Sequence, residues 1–185
     1  RTYMQHVVST AARAIPLVPV FIGIHDYVGS INSVTGRSMQ PTFNQRGSGY
    51  SDWVVLNRMS ARAQRYERGD VVVLRSPTEP TELLTKRIIA LQGDVVQART
   101  GRRDYVQVPR GHLWVEGDSE TYSNDSNHFG PVASGLVDAV VAVKLWPLSE
   151  AGAVERREPP RERVLMTSSV GNAWGSSWGR DDPRS

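Results

Sequence analysis

The stretch LLTKRIIALQGD, residues 83–94, is the clearest strand signal in this chain. It is rich in leucine and isoleucine, and a Gly-Asp turn signal ends it, which is the pattern of a buried β-strand. Alternate side chains of a strand share a face, so Lys86 lies with the apolar Leu84 and Ile88, while Arg87 points to the other face and can stay solvated. The stretch therefore predicts a strand with one lysine on an otherwise apolar face.

Short β-branched runs of the same kind lie on both sides of this strand. Turn signals of Gly, Pro and Asp separate them, no period repeats, and long helices do not alternate with them, so a parallel βαβ sheet is disfavoured. The predicted strands are DWVVLNR (52–58), DVVVLR (70–75), DVVQA (94–98), HLWVE (112–116) and LVDAVVAVKLW (136–146), with one short helix in MSARAQRY (59–66). The sequence predicts a mainly β domain over residues 31–149.

The composition narrows the classes of function. Of 185 residues 39% are hydrophobic and 22% charged, so the chain can build a packed core. The formal net charge is only +3, without a basic stripe ahead of the C-terminal segment, which disfavours a nucleic-acid partner. No cysteine is present, which excludes disulfides, thiolate metal sites and a cysteine nucleophile. Only Lys86 and Lys144 are lysines, and arginine provides the other basic side chains. Because arginine stays protonated, a lysine in this chain can mark a place where a proton must be lost.

Both ends of the chain differ from the predicted β domain. Residues 7–28 are mostly apolar, but their unbroken apolar core, AIPLVPVFIGI (14–24), is shorter than the roughly 20 residues that span a bilayer. A membrane-anchor helix, a buried core helix and the apolar part of a signal peptide all fit this pattern. Residues 150–185 are charged and rich in Gly, Ser and Pro, so we expect a largely disordered tail there.

Ser38 lies in the segment GRSMQPTFN (36–44) and is the candidate nucleophile. A serine hydroxyl is a weak nucleophile, so it needs a neighbouring base to activate it. A Ser-His-Asp triad would combine it with His128 and either Asp118 or Asp125, although no spacing supports that set. Lys86 is the other candidate base, because burial on an apolar face favours the neutral amine that accepts a proton. The competing interpretation of Lys86 is an edge-strand lysine that prevents aggregation.

Five segments occur in an order that resembles the type I signal peptidase family. They are GRSMQPTFN, DWVVL, RGDVVVLRSP, KRIIALQGD and VPRGHLWVEGDSETYSNDSNHFGPVASGLV, and the resemblance covers about residues 7–147. It is strongest to the mitochondrial inner membrane proteases of that family. The resemblance implies a signal-peptidase-like β domain behind an N-terminal membrane-anchor helix at residues 7–28.

The resemblance also implies roles for individual residues. Ser38 matches the nucleophile, Lys86 the general base, and Ser123 the serine that orients the lysine. The supporting residues are Asp125, Gly117 and Asp118, and the expected oxyanion or substrate-binding residues are Gly36, Arg37, Met39 and Pro41. Bacterial members often have a serine at the position of Gly36, so backbone N–H groups, including that of Ser38, would stabilise the oxyanion alone. Asn127 replaces an arginine of the bacterial motif, which removes an expected ion pair with Asp125.

The activity implied is a membrane-bound serine endopeptidase that uses no metal or cofactor. Its substrates would be precursor proteins with cleavable presequences, and its partners membrane lipid and the related inner membrane protease subunit 1, with the catalytic domain facing the mitochondrial intermembrane space. The alternatives are a bacterial-type secretory signal peptidase, a self-cleaving repressor that shares the Ser-Lys dyad, and a catalytically silent structural subunit of the protease complex.

Overall fold

The computed structural model describes residues 29–45, 51–99 and 105–165. The anchor predicted over residues 7–28 and residues 166–185 of the predicted tail lie outside this described part. Within the described ranges, no helix is long and apolar enough to cross a membrane.

The described residues form antiparallel strands, two short α-helices and the two 3₁₀ helices Ser134–Leu136 and Leu148–Glu150, so the predicted mainly β fold is confirmed. The strands are β1 (Gly29–Val34), β2 (Asp52–Asn57), β3 (Val71–Arg75), β4 (Leu83–Ala90), β5 (Val95–Gln97), β6 (Tyr105–Gln107), β7 (His112–Glu116), β8 (Val132–Ala133), β9 (Val137–Trp146), β10 (Gly152–Ala153) and β11 (Val164–Leu165), and the helices are α1 (Arg58–Arg62) and α2 (Ser126–Phe129). The helix expected over residues 59–66 is therefore shorter than the sequence pattern predicts.

One large sheet holds most of these strands in the order β1-β2-β9-β3-β4-β7-β8, with β10 paired to β9. A small sheet, β11-β5-β6, lies beside it. Register shifts interrupt the pairings of β9 with β2 and β3 and the pairing of β4 with β7. Such bulges bend a strand and increase its twist. The large sheet is thus bent at several of its central pairings.

Strand β3 is buried on both faces, which accounts for its continuous apolar run. Val71 and Val73 pack into one cluster with Met39 and Phe43. Val72 and Leu74 pack into a second cluster on the opposite face. A strand that is covered on both sides needs apolar residues at every position rather than at alternate ones. The first cluster joins the segment after β1 to the sheet.

The prediction of a disordered tail from residue 150 onward is wrong for residues 150–165. Strand β10 pairs with β9, and β11 pairs with β5. Arg163 donates to both carboxylate oxygens of Glu116, at 2.8 and 3.1 Å, and Arg156 forms ion pairs with Glu67 and Asp70. Composition predicted a solvated segment, but these arginines have partners on the domain that are distant in sequence.

Candidate active site

Ser38 lies in the loop that follows β1. Gly36 opens this loop with φ of 85°, a conformation that favours glycine. The Gln40 N–H donates to the Arg37 carbonyl at 3.1 Å, and the buried Met39 anchors the turn in the core. Ser38 is half-buried, between the exposed Arg37 and the buried Met39.

Lys86 is buried in β4, only 2% exposed. Its Nζ donates to the Ser123 Oγ at 3.0 Å, and it forms no ion pair with any residue in the described ranges. Burial lowers the pKa of the Lys86 ammonium from its usual value, although the negative charges of Asp125 and Glu82 act in the opposite direction. Lys86 is thus buried with a hydroxyl as its partner, and burial favours the neutral amine.

The Ser123 hydroxyl links Lys86 to Asp125. Its Oγ donates to Asp125 Oδ2 at 2.6 Å and accepts from the Gly117 N–H at 3.1 Å. Since its single proton is directed at Asp125, the oxygen acts as an acceptor toward Lys86. A neutral amine that donates one hydrogen to Ser123 keeps its lone pair for another proton.

Asp125 remains an acceptor although it is buried. Burial raises the pKa of its carboxyl, but hydrogen bonds from Ser123, the Gly117 N–H and Asn127 outweigh that effect and lower the pKa below its usual value. Asp125 also caps α2, where it accepts from both the backbone N–H and the side-chain amide of Asn127, at 3.1 and 2.9 Å. Asn127 thus supplies a hydrogen bond where an arginine would supply an ion pair.

Gly117 joins the nucleophile loop to the lysine-orienting serine. A Cβ atom at this position would overlap both the Ser123 hydroxyl and the Ser38 carbonyl oxygen. The Ser119 N–H donates to that same carbonyl at 3.0 Å. Only glycine fits here, and the close approach brings the segment after β7 against the backbone of Ser38.

Arg87 is not solvated, contrary to the sequence prediction. It is 3% exposed, and its guanidinium binds Asp118 through two parallel bonds of 2.8 and 2.7 Å. Asp118 also accepts from the Thr42 hydroxyl. Burial raises the pKa of Asp118, but the Arg87 and Thr42 hydrogen bonds dominate and lower it. The residue after Lys86 therefore fastens β4 to the loop that carries Ser38.

Lys144, the second lysine, is paired with carboxylates rather than with a hydroxyl. It is 7% exposed, and its Nζ lies 2.9 Å from Asp52 and 3.0 Å from Glu150. It also donates to the Thr42 carbonyl at 2.7 Å. The two lysines are thus both buried, one against carboxylates and the other against a hydroxyl. Sequence reasoning assigned no role to Lys144, because its partners are distant along the chain.

Glu116 is a second residue that the sequence reasoning missed. It is fully buried at the end of β7 and accepts from the Trp114 indole at 2.9 Å, as well as from the arginine pair Arg99 and Arg163. A buried carboxylate is tolerated only with such partners. Because it precedes Gly117 directly, it fixes the start of the segment that reaches Ser38.

Ser38 and Lys86 line the same cleft, which has a volume of about 420 Å³. One wall is β1, which is an edge strand among the described residues, and the other is the start of β4, where pairing with β7 begins only at Arg87. Gly36 and Arg37 also line the cleft. The structure places the other two expected oxyanion or substrate-binding residues elsewhere, with Met39 in the core and Pro41 at the surface.

His128 does not line this cleft. It is exposed on α2, and the two acids that would complete a triad, Asp118 and Asp125, are bound to Arg87 and Ser123. The geometry gives the histidine interpretation no support. In the described ranges, no cluster of three or more His, Cys, Asp or Glu side chains has metal-binding geometry.

Comparison with known proteins identifies the same family as the sequence motifs. Residues 7–103 match the model of a family described as signal peptidase, peptidase S26. The mouse mitochondrial inner membrane protease subunit 2 is 44% identical over 150 residues, which cover 81% of this chain and 86% of that protein. The human mitochondrial inner membrane protease subunit 1 is 37% identical over 131 residues, covering 69% and 75%. A solved signal peptidase I from Enterococcus faecalis matches at 22% identity and a TM-score of 0.37, covering 42% of this chain and 97% of that one.

Proposed function

The chain belongs to the signal peptidase family, peptidase S26, and we propose that it is a serine endopeptidase of the mitochondrial inner membrane that cuts presequences with Ser38 and Lys86. The observation that carries the dyad is the environment of Lys86. It is a buried lysine with a lowered pKa and a hydroxyl partner, and it lines the same cleft as a serine in a fixed turn.

In the first step, neutral Lys86 accepts the proton of the Ser38 hydroxyl as Oγ attacks the scissile carbonyl carbon. The backbone N–H of Ser38 stabilises the oxyanion without a side-chain donor at Gly36. The tetrahedral intermediate then collapses, the C–N bond breaks, and the Lys86 ammonium protonates the leaving amine. The mature protein departs, and the presequence stays as an ester on Ser38.

In the second step, Lys86 is neutral again and accepts a proton from water as the water attacks the ester carbonyl. The Ser38 oxygen leaves and regains its proton from the lysine, which releases the presequence with a free carboxylate. Ser123 holds Nζ in place throughout, because its hydroxyl proton is directed at Asp125 and its oxygen stays an acceptor.

The substrate would bind as an extended strand between the two edges of the cleft. β1 is an edge strand of the large sheet, and residues 83–86 of β4 pair only with β3 among the described strands. Unpaired backbone groups on facing edges suit strand addition. The residues before the cut would lie along Asn32 to Gly36 on one side and Glu82 to Lys86 on the other.

The relatives' names suggest a two-subunit enzyme. Subunits 1 and 2 of the mitochondrial inner membrane protease both match this chain, and the subunit 2 relative does so at higher identity. We assign this chain the part of subunit 2, with subunit 1 as its partner. Its substrates would be precursors sorted to the intermembrane space, and the catalytic domain would face that space.

Precursor cleavage tests the proposed function. The full chain is placed in liposomes with and without the partner subunit, and wild type is compared with Ser38→Ala and Lys86→Arg. Arginine keeps the positive charge but cannot become neutral at working pH. We expect cleavage by wild type and none by either variant, with folding confirmed by circular dichroism. Cleavage that survives Lys86→Arg would contradict the lysine-base mechanism, and inactive wild type with its partner would favour a silent subunit.

A further inference from the structure

Among the described residues that line the cleft, one side chain is acidic. Of the described residues that line it, Glu82 is the sole carboxylate, Arg37 and Lys86 are the basic groups, and Arg37 stacks on the Tyr122 ring at 4.9 Å. When Lys86 is neutral, as the mechanism requires, the charges left in the cleft are Arg37 beside the nucleophile and Glu82 at a distance from it. The cleft is therefore electrically polarised along its length.

The backbone holds Glu82 in place. Its carbonyl accepts from the Ser76 N–H at 2.9 Å, and its own N–H donates to the Glu79 carbonyl at 2.9 Å, directly before β4 begins. Glu82 is exposed, and it forms no ion pair within the described part of the chain. A fixed backbone with an exposed carboxylate on the wall of a cleft leaves the charge available to a bound cation.

Strand geometry sets the distance between Glu82 and the chemistry. Glu82 lies four residues before Lys86, its carbonyl extends the pairing of β4 with β3 by one residue, and both side chains line the cleft. At a rise of about 3.3 Å per residue, the backbone positions of the two residues are about 13 Å apart along the strand. A peptide bound as a neighbouring strand has the same rise, so its fourth or fifth residue from the scissile bond lies beside Glu82.

We propose that Glu82 makes this cleft selective for precursors with a lysine or arginine about four or five positions before the scissile bond. This rests on the proposed function, since it assumes a substrate bound between β1 and β4. The carboxylate attracts a basic side chain at that position and repels an acidic one. Because the pair is solvent-exposed, we expect about a two- to fivefold preference rather than an absolute requirement.

Peptide binding and cleavage test the proposal together. The probes are fluorescent 12-residue peptides with alanine at the first and third positions before the cut, and with Lys, Gln or Glu at position four, five or six. Binding to full-length Ser38→Ala protein is measured by fluorescence anisotropy, and cleavage by the active enzyme is measured in parallel. Each measurement is repeated with Glu82→Gln and with the matched control Glu79→Gln, an exposed acid in the same turn that does not line the cleft.

We expect the Lys peptides to bind and be cut about two- to fivefold better than the Gln peptides at position four or five, with the Glu peptides weaker still. Glu82→Gln should abolish this order and Glu79→Gln should keep it. A preference unchanged by Glu82→Gln, or equal use of all three peptides by wild type, overturns the proposal while leaving the protease function intact. A Glu82-dependent binding preference without cleavage would instead contradict the protease function alone. Failure of every peptide to bind would overturn both.

Discussion

The Nζ atom of Lys86 lies 3.0 Å from the Oγ atom of Ser123, and the hydroxyl rather than a carboxylate is its hydrogen-bond partner. Asp125 stands behind that hydroxyl and accepts its proton. A carboxylate in direct contact would stabilise the ammonium and raise the lysine pKa. The hydroxyl positions the amine while leaving its neutral form accessible, which is the property that a general base needs.

Ser123→Ala is expected to lower kcat/KM about 100-fold. The change removes the acceptor that holds Nζ in place, so the lysine loses its orientation toward Ser38. KM should change little, because Ser123 does not line the cleft. Steady-state cleavage of a presequence peptide measures both constants. Thr121→Ala, an exposed hydroxyl two residues away, should behave as wild type; equal losses in both variants would argue against a specific role for Ser123.

The pH dependence of kcat/KM should have a limb that rises with pH and has its midpoint below 10.5, the ordinary lysine value. The sign follows from the mechanism, because the active form is neutral Lys86 and burial lowers its pKa. Glu82 raises that pKa, so Glu82→Gln should move the limb to lower pH. Asp125 acts in the same direction as Glu82 and remains in the variant. A limb that moves upward in Glu82→Gln, or no limb below the ordinary value, would contradict this account.

The two lysines should respond in opposite directions when each is replaced by methionine. At pH 7, Lys86→Met should stabilise the fold by about 1 kcal/mol, because the variant no longer buries a weakly compensated charge. Its advantage should shrink as pH rises toward 10.5, since the wild-type cost exists only where the unfolded chain holds the proton. Lys144→Met should destabilise by about 3 kcal/mol, because Asp52 and Glu150 lose their counterion. Urea unfolding measures both. Destabilisation of similar size in both variants would refute the contrast.

Gly117→Ala is expected to destabilise the fold by about 2–3 kcal/mol and to reduce cleavage. The new methyl group would overlap the Ser123 hydroxyl and the Ser38 carbonyl oxygen, so the nucleophile loop must move. The matched control is Gly135→Ala, where the added Cβ meets no atom within 4 Å. Thermal unfolding and peptide cleavage measure the two effects. Wild-type activity in Gly117→Ala would show that this close approach does not position Ser38.

The sequence predicted the strands well where burial alone determines the pattern. The continuous apolar run of β3 and the alternation around Lys86 in β4 are both local patterns that a sequence shows directly. Arg87 and residues 150–165 were predicted wrongly for a common physical reason. A charged side chain is expected in solvent unless its partner is known, and the partners here, Asp118 and Glu116, come from other parts of the chain.

The candidate site was predictable only as separate pieces. Motif order indicated Ser38, Lys86 and Ser123, but no local pattern shows that Ser123 lies between the lysine and Asp125. Lys144 was missed because its role depends on the Thr42 carbonyl and two acids that the fold brings together. The requirement for glycine at position 117 was likewise visible only once the neighbouring backbone was in place.

The proposed mechanism requires Lys86 to become neutral in the folded protein more easily than an ordinary lysine. Because the chain has only two lysines, labelling with [13Cε]lysine gives two lysine resonances, and the one absent from Lys86→Arg belongs to Lys86. We would titrate that resonance by NMR in the full-length Ser38→Ala protein. A midpoint below the ordinary lysine value of 10.5 is the predicted result. A midpoint at or above that value would contradict the role of Lys86 as the general base.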